Sequence, residues 1–255
     1  MKRYIYKQLL AWKNEKEHKP LILNGARQVG KTYILREFGR NEYKRMAFFS
    51  LDRDQKALEI FNKGGRATDM LMALSAICHE DITPHDTLVV LDEIQNCPKA
   101  LEALKFFCEE TPEIDIVVAG SLLGLSIHSG VSYPVGKVEE LHLYPMTFLE
   151  FLEAMGKTQL VNLLENKNWT VINMLETELI SSLRQYYYVG GMPAAVLAHI
   201  EKKGWKEVRR IQQQIITDYR RDFSKHAPTR EIPRINIVWD SIPAQLAKEN
   251  KKFVY

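Results

Sequence analysis

The stretch Pro20-Leu21-Ile22-Leu23-Asn24-Gly25-Ala26-Arg27-Gln28-Val29-Gly30-Lys31-Thr32 carries Gly-x-x-x-x-Gly-Lys-Thr directly behind a short apolar run. That order is strand, phosphate loop, helix, and it predicts a nucleoside triphosphate site. Glycines let a backbone wrap an anion without Cβ clashes, so successive N–H groups can point at phosphate oxygens. Lys31 adds a mobile cation. Thr32, in the first turn of the following helix, offers a hydroxyl to Mg²⁺, while the dipole of that helix favours negative charge. The contact set expected for the nucleotide is Gly25, Ala26, Arg27, Gln28, Val29, Gly30, Lys31, Thr32 and Tyr33. The alternative is a glycine turn that merely ends a strand.

Beyond this loop the chain alternates between two kinds of pattern. A short amphipathic helix around Ile5, Leu9, Leu10 and Trp12 is expected before a first strand at Leu21–Leu23, where it could wall a nucleotide base. A helix from Lys31 to about Phe38 leads to a buried strand at Met46–Leu51, then to helical patterns near Gln55–Asn62 and Arg66–His79. Thr87-Leu88-Val89-Val90-Leu91 is β-branched or apolar throughout, as a central strand is. Pro98 suits the first turn of a helix reaching Cys108, and Ile114–Ala119 reads as another strand, ending at Gly120-Ser121. Val138–Leu143 is a candidate fifth strand, after a Gly/Ser/His-rich stretch from Gly124 to Gly136 that reads as a mobile loop. Such alternation predicts a mostly parallel α/β sheet with helices on both faces.

From Thr147 to about Lys225 the pattern becomes almost wholly helical, broken at Gly156 and at Gly190-Gly191-Met192-Pro193. Pro228 and Pro233 mark a boundary, and Ile235–Tyr255 starts another helical element that stops without a C-cap signal, as a fragment would. The expected domains are therefore a core over residues 1–146, a helical subdomain over 147–227 and the start of a connector over 228–255. A length of 255 residues is ample for such a core. The formal net charge of +3 is too mild to imply nucleic acid by itself, although a local basic face stays open. Cys78, Cys97 and Cys108 show neither metal-ligand spacing nor an even disulfide set, so reduced, buried thiols are expected. With no signal peptide and no membrane-length apolar stretch, the expected location is the cytoplasm, without a membrane partner.

Asp92 and Glu93 close the apolar strand, and in open α/β sheets ligands gather outside the carboxyl ends of strands. We read Asp92 as the Mg²⁺ carboxylate and Glu93 as the base that deprotonates an attacking water. Both residues could instead simply favour the start of a loop or helix. Ser121 is placed to sense the γ-phosphate or the water, and equally to cap a helix beginning at Leu122. Hydrolysis also calls for a cation on the transferring phosphoryl group. Arg220, Arg221, Arg184 and Lys137 are candidates among which the sequence does not choose, and Arg27 is expected to be exposed.

GARQVGKT, LVVLDEIQ, VVAGS, LYPMTFLEFL, YYYVGGMPAAV and SIPAQLAKENKKFVY together resemble the prokaryotic AAA-type ATPases that carry a C-terminal domain of unknown function. The resemblance spans nearly the whole chain. It implies a P-loop ATPase fold of the AAA/ASCE type, with the strand before Ser121 lying between the phosphate-loop strand and the Asp92 strand. A helical subdomain and the start of a winged-helix-like connector would follow, and relatives continue into a further, often nuclease-like, domain that this chain is expected to lack. By the same resemblance Gly25, Gly30, Lys31 and Thr32 are Walker A residues, Asp92 and Glu93 are Walker B residues, and Ser121 is a sensor. Gly136-Lys137 stands where relatives usually carry Gly-Arg, and lysine lacks the planar fork that grips phosphate bidentately.

The expected activity is Mg²⁺-dependent hydrolysis of ATP to ADP and phosphate, coupled to movement of the helical and C-terminal parts. The alternative is a nucleotide-gated switch with little turnover that engages DNA or a protein. Lys202, Lys203, Lys206, Arg209 and Arg210 are the candidate DNA contacts, although such clusters are mostly solvated faces. A GTPase is disfavoured because no Asn-Lys-x-Asp occurs; Asn166-Lys167-Asn168-Trp169 has the wrong last residue. A small-molecule phosphotransferase stays open because the same loop serves kinases. So does an oligomer that shares catalytic parts.

Overall fold

The computed structural model describes residues 1–121, 133–227 and 229–247. Among them, the strands are β1 (Leu21–Gly25), β2 (Arg45–Ser50), β3 (Thr87–Asp92), β4 (Asp115–Ser121) and β5 (Glu139–Leu143). They form one parallel sheet in the order β2-β3-β4-β1-β5, so β4 separates the phosphate-loop strand from the strand carrying Asp92. The helices interleaved with them are α1 (Ile5–Asn14), α2 (Lys31–Glu42), α3 (Gln55–Lys63), α4 (Ala67–Cys78) and α5 (Pro98–Glu110). Parallel neighbours cannot be joined by hairpins, which is why the described connections β1 to β2, β2 to β3 and β3 to β4 carry helical chain.

Alternation along the strands splits the apolar run into two cores. Leu21 and Leu23 of β1, Leu88 and Val90 of β3, and Val117 and Ala119 of β4 pack with Ile5, Leu9 and Trp12 of α1 and with Ile34, Leu35 and Phe38 of α2. Ile22, Val89, Leu91, Ile116 and Val118 point the other way, against Phe61 of α3, Leu74 of α4 and Phe107 of α5. β3 is buried at all six positions because both faces are covered, and that is the reason its sequence shows no polar alternation. Pro98 occupies the first turn of α5, where its missing N–H has no intrahelical partner to lose.

The later chain forms α6 (Phe148–Ala154), α7 (Thr158–Glu165), α8 (Trp169–Met174), α9 (Glu176–Val189), α10 (Pro193–Ile200), α11 (Trp205–His226) and α12 (Ile232–Leu246). Thr147 starts α6 with a capping box: its side chain accepts from the Glu150 N–H, while the Glu150 carboxylate accepts from the Thr147 N–H. The Met146 N–H donates to the Gly191 carbonyl at 2.7 Å, and the Tyr186 hydroxyl donates to the Met146 carbonyl at 2.8 Å. The Tyr-Pro-Met and Gly-Gly-Met-Pro elements thus meet in space.

Compactness divides the chain into Met1–Arg209 and Arg210–Tyr255. In the second unit Tyr219 stacks on Trp239 at 5.9 Å, and Phe223 meets the same indole edge-on at 5.0 Å. Among the described residues no helix is long and apolar enough to cross a membrane.

Some expectations shift. β2 begins at Arg45 and stops before Leu51, which is buried in the following turn. Only Cys97 is fully buried, whereas Cys78 and Cys108 are half-buried; all three are free. Most of the loop expected at Gly124–Gly136, the helix start at Leu122 and the end of the Ile235–Tyr255 element lie outside the described residues.

At the opposite end of the sheet from Ser121, the His18 ring lies between two acceptors, with Nε2 2.6 Å from Asp115 Oδ1 and Nδ1 2.9 Å from the Glu15 carbonyl. Both nitrogens can donate only in the imidazolium form, and the Asp115 hydrogen bond raises the His18 pKa above the ordinary 6.5. A raised folded-state pKa contributes stability that is fully present below 6.5 and is lost as pH rises through the raised value. The melting temperature should therefore fall on going from about pH 6 to about pH 8.5. His18→Gln should flatten that slope; an equal slope in the variant would assign it to other groups.

Candidate functional site

The phosphate loop leaves β1 at a place where three strands meet in register. Gly25 sits beside Ser121 of β4 on one side and Leu143 of β5 on the other. A Cβ on Gly25 would lie 2.4 Å from the Leu143 carbonyl oxygen, so the residue must be glycine for β5 to pair this closely. Past it, Gln28 takes φ 64° and Gly30 takes φ 98°, both in the left-handed region. Gly30 then opens α2, and its carbonyl accepts from the Ile34 N–H at 3.0 Å. Positive φ within a short loop turns successive amides toward one concave side, the arrangement that suits an anion.

Loop side chains take different roles. Val29 is fully buried in the core on the α1 and α2 face, so only its main chain is available to a ligand. Ala26 and Arg27 are half-buried, Gln28 is exposed, and Tyr33 is exposed on α2. Arg27 is thus less open than its position in the loop suggested. Lys31 Nζ donates to the carbonyls of Gly25 at 2.9 Å and Ala26 at 3.0 Å, which folds the ammonium back over the loop.

Two segments far apart in sequence meet at the start of α2. Thr32 Oγ1 donates to Asp92 Oδ2 at 2.6 Å. Asp92 is 5% exposed, and burial pushes its carboxyl pKa up while the Thr32 hydrogen bond pulls it back. A hydroxyl and a carboxylate side by side form a hard oxygen donor set that fits Mg²⁺, which keeps several waters and takes one or two protein oxygens beside phosphate. The loop amides and Lys31 likewise fit a polyphosphate.

Glu93, half-buried, follows in the left-handed conformation with φ 56° and ψ 44°. For a residue with a side chain this costs on the order of 1 kcal/mol, and it breaks the strand alternation, so Glu93 does not simply face opposite to Asp92. The Glu93 N–H donates to Asp92 Oδ1 at 3.1 Å, and Gln95 Nε2 donates to Glu93 Oε2. Gln95 is itself buried and was not singled out from the sequence.

The cationic candidates are dispersed. Lys137 pairs with Glu109 at 3.0 Å. Arg184 lines a groove with Gln185, Tyr188 and Trp205. Arg220 pairs with Asp240, and Arg221 lies 3.9 Å from Asp218. A second residue that sequence reasoning missed is Arg3, buried at 6% exposure, whose Nη1 donates to the Val29 carbonyl at 2.9 Å. Its signal was weak: one basic residue in a basic N-terminus.

Residues 17–152 match the family described as AAA domain. Residues 180–255 match a domain of unknown function (DUF8612), so a C-terminal domain of unknown function lies within this chain. No curated protein matches. Among solved structures, Drosophila ORC bound to DNA is 15% identical with a TM-score of 0.48, over 82% of this chain and 65% of that one. Cdc6p from Pyrobaculum aerophilum is 18% identical with a TM-score of 0.40, over 62% and 50%. The RuvB T158V protein of Thermotoga maritima is 19% identical with a TM-score of 0.36, over 60% and 48%. The chain spans less than two thirds of the length of each.

Replacing Gly25 tests the strand contact directly. Gly25→Ala should destabilise the fold by about 1–3 kcal/mol, because the added methyl meets main chain that cannot rotate away. Urea unfolding at a fixed temperature measures this; an unchanged midpoint would mean that β5 is free to shift.

Proposed function

The chain belongs to the AAA domain family, and from that premise we propose that it binds ATP with Mg²⁺ and hydrolyses it to ADP and phosphate. The observation that carries the proposal is the 2.6 Å hydrogen bond from Thr32 to Asp92, which joins the phosphate loop to the carboxylate pair across sixty residues of sequence. In the proposed complex the loop amides from Ala26 to Thr32 hold phosphate oxygens. Lys31 exchanges its neutral carbonyl acceptors for charged phosphate oxygens, which are stronger partners for an ammonium. Thr32 and Asp92 would hold Mg²⁺, which when bound neutralises charge on the phosphate oxygens.

Glu93 accepts a proton from the attacking water, whose oxygen bonds to the γ-phosphorus as the bond to the bridging oxygen of ADP breaks. Ser121, paired with Gly25 in the sheet, would contact the γ-phosphate or that water through its hydroxyl. Turnover would move the helical subdomain, residues 147–227, against the core, residues 1–146, and pass the movement to the connector from residue 228 onward. A reducing, cytoplasmic setting fits three free cysteines.

A nucleotide-gated switch on DNA or protein is a second function, favoured by one observation. Gln95 donates a hydrogen bond to the Glu93 carboxylate, so that oxygen is already occupied and must exchange its partner before it can take up a water, a step suited to control by a bound partner. The exposed Lys202, Lys203, Lys206 and Arg209 offer positive charge for DNA.

Glu93→Gln should retain ATP binding and lose about 10²- to 10⁴-fold in phosphate release, the usual contribution of a general base. Wild-type turnover in that variant would remove Glu93 from the role. Faster wild-type turnover on addition of DNA, lost as salt is raised, would favour the switch; a rate indifferent to DNA would disfavour it on that partner.

A further inference from the structure

Arg3 lies outside every motif, yet its side chain joins the phosphate loop to two later segments of the chain. Its Nη1 donates to the Val29 carbonyl at 2.9 Å, its Nη2 to the Tyr144 carbonyl at 2.6 Å and its Nε to Glu150 Oε1 at 3.1 Å. Glu150, 4% exposed, also accepts from the Tyr4 N–H at 2.7 Å and, through Oε2, from the Thr147 N–H at 2.8 Å. A buried guanidinium therefore bridges the loop, the segment after β5 and the first turn of α6.

The consequence follows from the geometry of one peptide group. A trans peptide is planar, and its C=O and N–H point in opposite directions. Holding the Val29 carbonyl on Arg3 thereby aims the Gly30 N–H away from Arg3. Gly30 is at φ 98°, and glycine accepts either sign of φ, so nothing local prevents this peptide from flipping. The Val29 side chain is locked in the core and cannot follow such a flip. Arg3 supplies the restraint that the loop lacks.

We propose that Arg3 is a positioning residue of the nucleotide site, fixing the Gly30 amide for phosphate and, through Glu150, tying that peptide to α6. This rests on the ATP-binding function proposed above. Lysine cannot replace it, because a single ammonium cannot serve two carbonyls and a carboxylate at these separate positions. The loop amide would serve ADP as well as ATP.

The test compares Mg²⁺-ATP and Mg²⁺-ADP dissociation constants and steady-state kinetics for the wild type and three variants. Arg3→Lys keeps a partner for Glu150, and the double variant Arg3→Met with Glu150→Gln removes both charges, so that neither leaves a buried charge stranded. Both should stay cooperatively folded and bind either nucleotide about ten- to hundred-fold more weakly, with KM rising by more than kcat falls. Lys2→Ala removes the exposed ion pair between Lys2 and Glu153 of the same helix, 3.5 Å long, and should leave both constants within about two-fold. Folded Arg3 variants with wild-type constants would overturn the proposal, as would unfolding of both, which would make the role purely structural. A wild-type chain that binds neither nucleotide would overturn the ATP function first, and this inference with it.

Discussion

The registered row Ser121, Gly25 and Leu143, across three parallel strands, is the constraint on which the rest of the site depends. Main-chain pairing and not side-chain attraction sets that row, and the absence of a Cβ at Gly25 is what allows β5 to close on β1. Because all the strands run the same way, their carboxyl ends share one edge of the sheet. Asp92, Ser121 and the phosphate loop, scattered along the sequence, therefore arrive at that edge together. The short contact between Thr32 and Asp92 is a product of this topology, and it links α2 to the end of β3.

Around this edge the chain keeps polar and strained features that a pure stability optimum would avoid. The buried Arg3–Glu150 pair carries a desolvation cost of several kcal/mol per ion, offset because each partner makes three hydrogen bonds. Such a pair adds little net stability. What it adds is uniqueness, since few arrangements satisfy all those donors and acceptors at once. Glu93 in the left-handed region is a second such feature, with its carboxylate steered by Gln95. Burial of Asp92 is a third, raising its pKa in a place where a cation would lower it again.

Much of this architecture was legible in the residues. The apolar run at β3 announced a strand covered on both faces, Pro98 marked a helix start, and Gly190 marked a helix end, where its φ of 74° is observed. The Thr147-x-x-Glu150 spacing was open to reading as a helix cap, but nothing local said that the same carboxylate would also receive Arg3 and Tyr4. Arg3 and Gln95 were invisible as site neighbours because they belong to no periodic pattern. Cys78 and Cys108, expected to be buried, are half-buried because each lies near a helix end, where packing is looser.

Local chemistry explains where the division falls. The sequence by itself determined the phosphate loop, the alternation of strands and helices, and the two carboxylates closing an apolar strand. All of these rest on interactions within a few residues: propensity, periodicity and the conformational freedom of glycine. Only the tertiary structure decided that Thr32 would meet Asp92, that Glu93 would turn out of the strand, and that a residue at the N-terminus would hold the Val29 peptide. Those contacts span twenty-six to sixty residues or hinge on one strained dihedral, and their energies come from desolvated groups finding partners that sequence spacing does not reveal.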